Sequence, residues 1–134
     1  MSAFSSFFAF FARIFLAVLF VFSGWAKLTG FEGTVGYVAS NDLPVPQLFA
    51  ALTILIELGG GILLVLGLFS RIAAFIMAGF VLLTIVLVHH FWAMGDAEAA
   101  ANQLAAMKNL AIAGGLLMVT AFGPGAWAVG PGRD

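Results

Sequence analysis

The chain has 134 residues, 63% of them hydrophobic and 8% charged, with a net charge of −1 and a mean hydropathy of +1.16. A composition this apolar excludes a soluble globular domain and marks an integral membrane protein. There is no cysteine, which excludes thiol–disulfide exchange and thiolate ligation of metal or iron–sulfur by the chain itself, and no block of basic residues marks a nucleic-acid surface.

In chain order, four stretches reach the ~20 residues that a helix needs to cross the hydrocarbon. They are residues 4–25, 45–68, 72–92 and 103–122. Backbone groups in lipid have to be satisfied within the segment, so these runs predict an all-α membrane protein, one domain over 1–134, built as an antiparallel bundle of four transmembrane helices. The first run lacks a basic leader, carries Arg13 inside it and ends in Ser23, Gly24 and Trp25 without a small-x-small cleavage site, which reads as a retained helix and not a secretory signal. Residues 30–41 are too polar to span. Phe31, Val35 and Val38 share one side there at helical spacing, which predicts a short interfacial helix between the first two spans.

Pro44 and Pro46 open the second helix, since proline is tolerated in a first turn but not further in. Residues 67–71 make a tight connection to the third helix, residues 95–98 form a polar link before the fourth, and Gly123, Pro124 and Gly125 stop it. Arg71 and Arg133 fall on the side of the termini, with Lys27 and Lys108 towards the other face, so positive-inside counting puts both termini in the cytoplasm. The runs 60–65 and 114–119 echo each other, as do Arg13-Ile14 and Arg71-Ile72, in the manner of a duplicated hairpin.

The polar residues at membrane depth carry the functional argument. At 100° per residue, Arg13, Ala17, Phe20, Gly24 and Lys27 form a narrow stripe on the first helix that faces protein and not lipid. On the second helix, Ala50, Thr53, Glu57, Gly60, Gly61 and Leu64 share a face whose small residues admit a close neighbour. Glu57 therefore looks into the bundle, where a carboxylate needs a partner. Arg13 and Lys27 are the candidates, and Arg13 is preferred for a structural ion pair with Glu57 because a guanidinium holds a carboxylate bidentately while staying charged. His89 and His90 close the third helix, and Lys108 and Asn109 open the fourth. Antiparallel packing brings these to the half of the bundle that holds Lys27, so Lys27, Glu57, His89, His90, Lys108 and Asn109 are the candidate ligand-binding residues of one pocket. Adjacent helical histidines point about 100° apart, so one of the two is expected to face it. No metal site is expected, because no helix carries His-x-x-x-His or acid-x-x-His spacing.

These residues bring a family into view. Arg13, the run from Ser23 through Lys27 to Phe31, then Gly33, Thr34 and Tyr37, the Glu57–Gly61 run, Gly67 with Arg71, and Met107 to Asn109 followed by Gly114 and Gly115 together resemble the DoxX family of small bacterial membrane proteins over nearly the whole chain. The resemblance implies four transmembrane helices in the bacterial cytoplasmic membrane. It also implies kinship with proteins similar to a membrane subunit of thiosulfate:quinone oxidoreductase, or with ones that tie a soluble redox enzyme to the membrane. Three functional readings follow. The first is a redox-associated membrane subunit whose pocket, open to the periplasmic side, holds a quinone or a small oxyanion. The second is a structural or assembly protein in which Arg13 and Glu57 pair and the pocket is collapsed. The third is a transporter, for which four helices are few, so that it needs a homo-oligomer built on lipid-facing small residues such as Ala78 and Gly79.

Overall fold

The computed structural model describes residues 1–130, so Arg133, used above for orientation, lies outside the described residues. Among these the chain is helical, with four helices long and apolar enough to cross a membrane. Helix α1 runs Ala3–Thr29 and is followed, after Gly30, by a short helix α2, Phe31–Ser40. The second span, Pro46–Leu66, consists of α3 (Pro46–Ile54), one widened π-type turn at Leu55–Gly59, and α4 (Gly60–Leu66). Helix α5 is Ser70–Leu87, and α6 is Asp96–Phe122.

The first helix runs to Thr29, four residues past the expected end, and two further boundaries differ in ways that bear on the candidate residues. The third helix stops at Leu87, so His89 and His90 lie in an irregular stretch before a single 3-10 turn at Phe91–Ala93. The argument that the two rings sit about 100° apart on a helix therefore does not apply to them. The fourth helix starts at Asp96, seven residues earlier than Gln103: the acids of the expected link, Asp96 and Glu98, occupy its first turn, where carboxylates favour the positive end of the helix dipole. Lys108 is thus not near the start of that helix but about 18 Å along it, on an exposed face.

The expected stripe of α1 is buried as Arg13, Ala17, Phe20 and Gly24, with Lys27 half-buried at its end. In lipid, apolar side chains gain little by leaving hydrocarbon, so helices associate through close packing. The core accordingly mixes Ala17, Ala74, Ala78 and Ala113 with Phe20, Leu64, Met77 and Leu116. Ala78 belongs to that core, with 1% of its surface exposed, so it is not the lipid-facing contact residue assumed for an oligomer, whereas Gly79 is exposed with open space beside it.

The glycines after Glu57 each do something different. A β-carbon on Gly61 would meet Val21 of α1, and one on Gly60 would meet the Met77 sulfur of α5, while Gly59 has only Leu55 near it. The closest backbone-to-backbone approach is made by Gly24 of α1, whose added β-carbon would lie 2.6 Å from the Leu58 nitrogen and 2.9 Å from its α-carbon. Backbone thus packs on backbone at the widened turn, and this contact fixes the register of α1 against the second span.

The spans form two antiparallel hairpins, α1 with the second span and α5 with α6. They are joined at the end that carries both termini. There the segment after α6 folds back: the Val129 amide donates to the Leu66 carbonyl at 2.8 Å, and the Ala126 amide to Ser6 Oγ at 3.4 Å. At the α2 end the hairpins diverge, and neither α2 nor α3 approaches α5 or α6. Substitution Gly24→Leu is expected to push α1 off the widened turn and to cost about 1–3 kcal/mol, the usual range for overpacking a tight contact. It should read as a lower denaturation midpoint of the detergent-purified protein, whereas Gly79→Leu, on an open surface, should leave the midpoint unchanged.

Candidate functional site

Glu57 sits in the widened turn, buried, and faces Lys27 across the tight Gly24 contact. Lys27 Nζ lies 3.0 Å from Glu57 Oε2 and 3.3 Å from Oε1, and donates to Ser23 Oγ at 2.6 Å. The three ammonium protons are thereby matched by three acceptors. Ser23 is one helical turn before Lys27 on the same face, the spacing at which helix side chains meet.

The expected pairing of Arg13 with Glu57 does not form. With Gly24 set against Leu58, Glu57 stands level with residues about one turn from Lys27, and Arg13 is about 17 Å further along α1. The Arg13 guanidinium is instead buried at the end that carries the termini. It donates to the carbonyls of Pro124 at 2.7 Å and Trp127 at 2.8 Å, reaches that of Val65 at 3.5 Å, and lies 5.4 Å from the centre of the Phe10 ring. Arg71, at the start of α5, donates to the carbonyls of Thr120 and Ala121 at the end of α6. Arg71 therefore satisfies carbonyls at the C-terminal end of α6, where helices leave acceptors unpaired, and Arg13 satisfies those of the segment just after it and reaches the end of the second span. The two Arg-Ile pairs of the sequence echo have matching roles. Of the repeated glycines, Gly61 and its counterpart Gly115 both pack on α1, against Val21 and Leu16, whereas Gly60 meets Met77 and its counterpart Gly114 faces open space.

Between the diverging hairpins lies a cavity of about 500 Å³. Lys27, Glu57, His89 and Asn109 all line it, whereas His90 and Lys108 do not. His90 is turned towards Trp92, ring centres 6.3 Å apart, with its Nδ1 buried and unpartnered, and Lys108 is exposed. The rest of the wall is mostly apolar, with Leu19, Phe20, Ile56, Phe80, Val81 and Ile112 among its side chains. Helix α2 contributes Thr34, Tyr37 and Val38, and Asn41 follows at its end, a contribution that residue spacing alone does not reveal.

Two further polar links, both within the second hairpin, set the orientation of the wall. Asn109 Nδ2 donates to Thr84 Oγ1 at 3.0 Å, and that hydroxyl donates to the Val81 carbonyl at 2.6 Å. His89 Nδ1 lies 2.9 Å from Asn102 Oδ1, and the Asn102 amide nitrogen donates to the Glu98 carbonyl at 3.1 Å. The second bond fixes which way the amide points, so His89 Nδ1 carries the proton and Nε2 of the neutral ring is left as an acceptor. Ser23, Thr84 and Asn102 were not among the sequence candidates. Their signal was a hydroxyl or amide in an apolar run, which is weak because such groups also bond their own helix backbone.

Among the described residues there is no cluster of three or more His, Cys, Asp or Glu side chains that would hold a metal ion. The site offers instead a carboxylate and an ammonium that cancel, two neutral polar side chains on the facing hairpin, and an apolar wall. Four apolar spans around such a cavity define a small multi-pass integral membrane protein with a polar intramembrane site.

The sequence pattern of the DoxX family matches residues 8–90, and the chain belongs to that family. It is 42% identical over 118 residues to the inner membrane protein YqjF of Escherichia coli strain K12, covering 88% of this chain and 85% of that protein. To the inner membrane protein YphA of the same organism it is 39% identical over 115 residues, covering 86% and 82% respectively. The four apolar helices and these relatives fit a multi-pass inner membrane protein. No solved structure matches the sequence.

Removing one member of a buried pair strands the other, whereas removing both does not. Glu57→Gln is therefore expected to cost about 1.5–3 kcal/mol, the range for a hydrogen bond to a charged group, and the Lys27→Met, Glu57→Gln double substitution to recover most of that loss. Thermal denaturation of the four proteins of this double-mutant cycle measures the coupling.

Proposed function

We propose that this protein is a redox-associated membrane subunit that binds a quinone head group in the cavity between its hairpins. The carrying observation is the joint lining of one mostly apolar cavity by Lys27 and Glu57 from one hairpin and His89 and Asn109 from the other. Its volume lies within the range of small-molecule sites, which are typically apolar with a few placed polar groups. A quinone ring fits this donor set better than a small oxyanion does. The Lys27 charge is already balanced by Glu57, so a free anion would bring an unbalanced charge into a low-dielectric space.

When bound, a quinone supplies two-electron, two-proton redox chemistry. The chain's own part is to bind and to handle protons. Lys27 donates to a ring oxygen by releasing Ser23, Glu57 keeps the ammonium charge balanced, and Asn109, held by Thr84, orients the ring from the other hairpin. His89, its Nδ1 proton committed to Asn102, offers Nε2 as the atom that accepts a proton. The electron donor or acceptor is a soluble redox enzyme at the membrane surface, as the family resemblance suggests. A purely structural role is less well supported, because the cavity is open and Arg13 is engaged elsewhere.

Full-length protein in lipid nanodiscs is expected to bind decylubiquinone at about one per chain by native mass spectrometry. His89→Ala and Asn109→Leu should each weaken binding about tenfold, equivalent to one lost hydrogen bond to the ligand, and lower the denaturation midpoint by no more than the single bond to Asn102 or Thr84 that each also removes. A wild-type protein that stays empty at saturating quinone overturns the reading.

We also propose that both termini are cytoplasmic, with α2 and the cavity towards the periplasm. Arg13 and Arg71 both lie at the end that carries the termini, which supports this orientation. The cysteine-free chain allows a direct measurement. In intact cells Ala39→Cys is expected to react with a membrane-impermeant maleimide and Ser2→Cys to be protected, and the opposite pattern inverts the orientation.

A further inference from the structure

We propose that the cavity is loaded sideways from the bilayer, through a portal between α3 and α5, and that its ligand carries an apolar tail which stays in that portal. The inference rests on the quinone-site reading above and specifies how the ligand reaches the site.

Three observations carry it. Below the cavity the hairpins pack on each other, and every described hydrogen bond between them is made at the end where the termini lie, by Arg13, Ser6 and the 124–129 segment. At the other end, α3 and α5 belong to different hairpins and do not approach each other. Three leucines line the cavity and yet remain about half exposed, Leu19 of α1 at 48%, Leu52 of α3 at 46% and Leu83 of α5 at 49%, and the last two belong to the helices that do not approach each other. A side chain that is both cavity wall and outer surface marks a rim.

The rim lies at hydrocarbon depth. Leu52 is about 9 Å into the second span from its α2 end, and Leu83 about 20 Å from the start of α5, in spans of about 30 Å. The two therefore stand at nearly the same level, which the packing of Gly60 on Met77 further down also requires. What passes between them comes from lipid and not from water. A tail lying there meets leucine on either side and sacrifices no hydration, while the head group reaches Lys27 and Asn109.

The discriminating experiment uses the full chain in phosphatidylcholine nanodiscs and two probes, decylubiquinone and the same ring without the decyl chain, with bound quinone counted by native mass spectrometry. The paired substitution Leu52→Trp, Leu83→Trp narrows the rim at lipid-facing positions. It is expected to lower decylubiquinone binding about tenfold and to leave binding of the tail-less ring unchanged. The pair Leu52→Ala, Leu83→Ala widens the rim and should keep decylubiquinone binding at the wild-type level, which separates blockage from misfolding. Undiminished decylubiquinone binding in the Trp pair, or equal loss of both probes, overturns the portal while the quinone site stands. Failure of the wild type to bind either probe overturns both.

Discussion

A guanidinium inside a helical bundle has to find acceptors, and in a membrane the unpaired acceptors are the carbonyls at helix ends. Arg13 meets that requirement through its two terminal nitrogens, in a way that shapes the whole molecule. Its donors reach carbonyls of the second span and of the segment after α6, which belong to different hairpins. One buried side chain thus joins the two halves, and it does so at one end of the bundle. Arg71 performs the same local task within the second hairpin, on the carbonyls of Thr120 and Ala121.

Joining the hairpins at one end leaves the other free to open. In water such a gap would be closed by hydrophobic collapse, but in a bilayer lipid solvates leucine as well as protein does, so nothing forces α3 onto α5. The same logic explains why the core is rich in alanine and glycine. Where helices gain only from contact, small residues that let backbones approach decide which faces meet, and Gly24 on Leu58 is the tightest such meeting.

That contact also decides the electrostatics. It sets Glu57 one turn from Lys27, in a turn of the helix that is wider than α-helical, beside three glycines that cost little to rearrange. The result is a matched pair of opposite charges on one wall of a cavity, facing neutral polar groups on the other. The proposed occupant is a neutral head group with hydrogen-bonding oxygens, and the family places the protein among membrane components without fixing what it binds.

Hydropathy and helical period are local properties, so the four spans, the buried Arg13–Lys27 stripe and the inward face of Glu57 were determined by the amino-acid sequence alone. The end of the third helix was not, because His89 and His90 continue an apolar run that gives no stop signal. Four of the six candidate pocket residues meet at the cavity, while His90 and Lys108 fall outside it. Their depth was judged from helix ends that the fold places elsewhere. Only the tertiary structure decided which cation Glu57 meets and that the hairpins part above it. Both depend on the register between helices, which is set by a backbone contact at Gly24 and a guanidinium reaching distant carbonyls, and neither leaves a periodic trace along the chain.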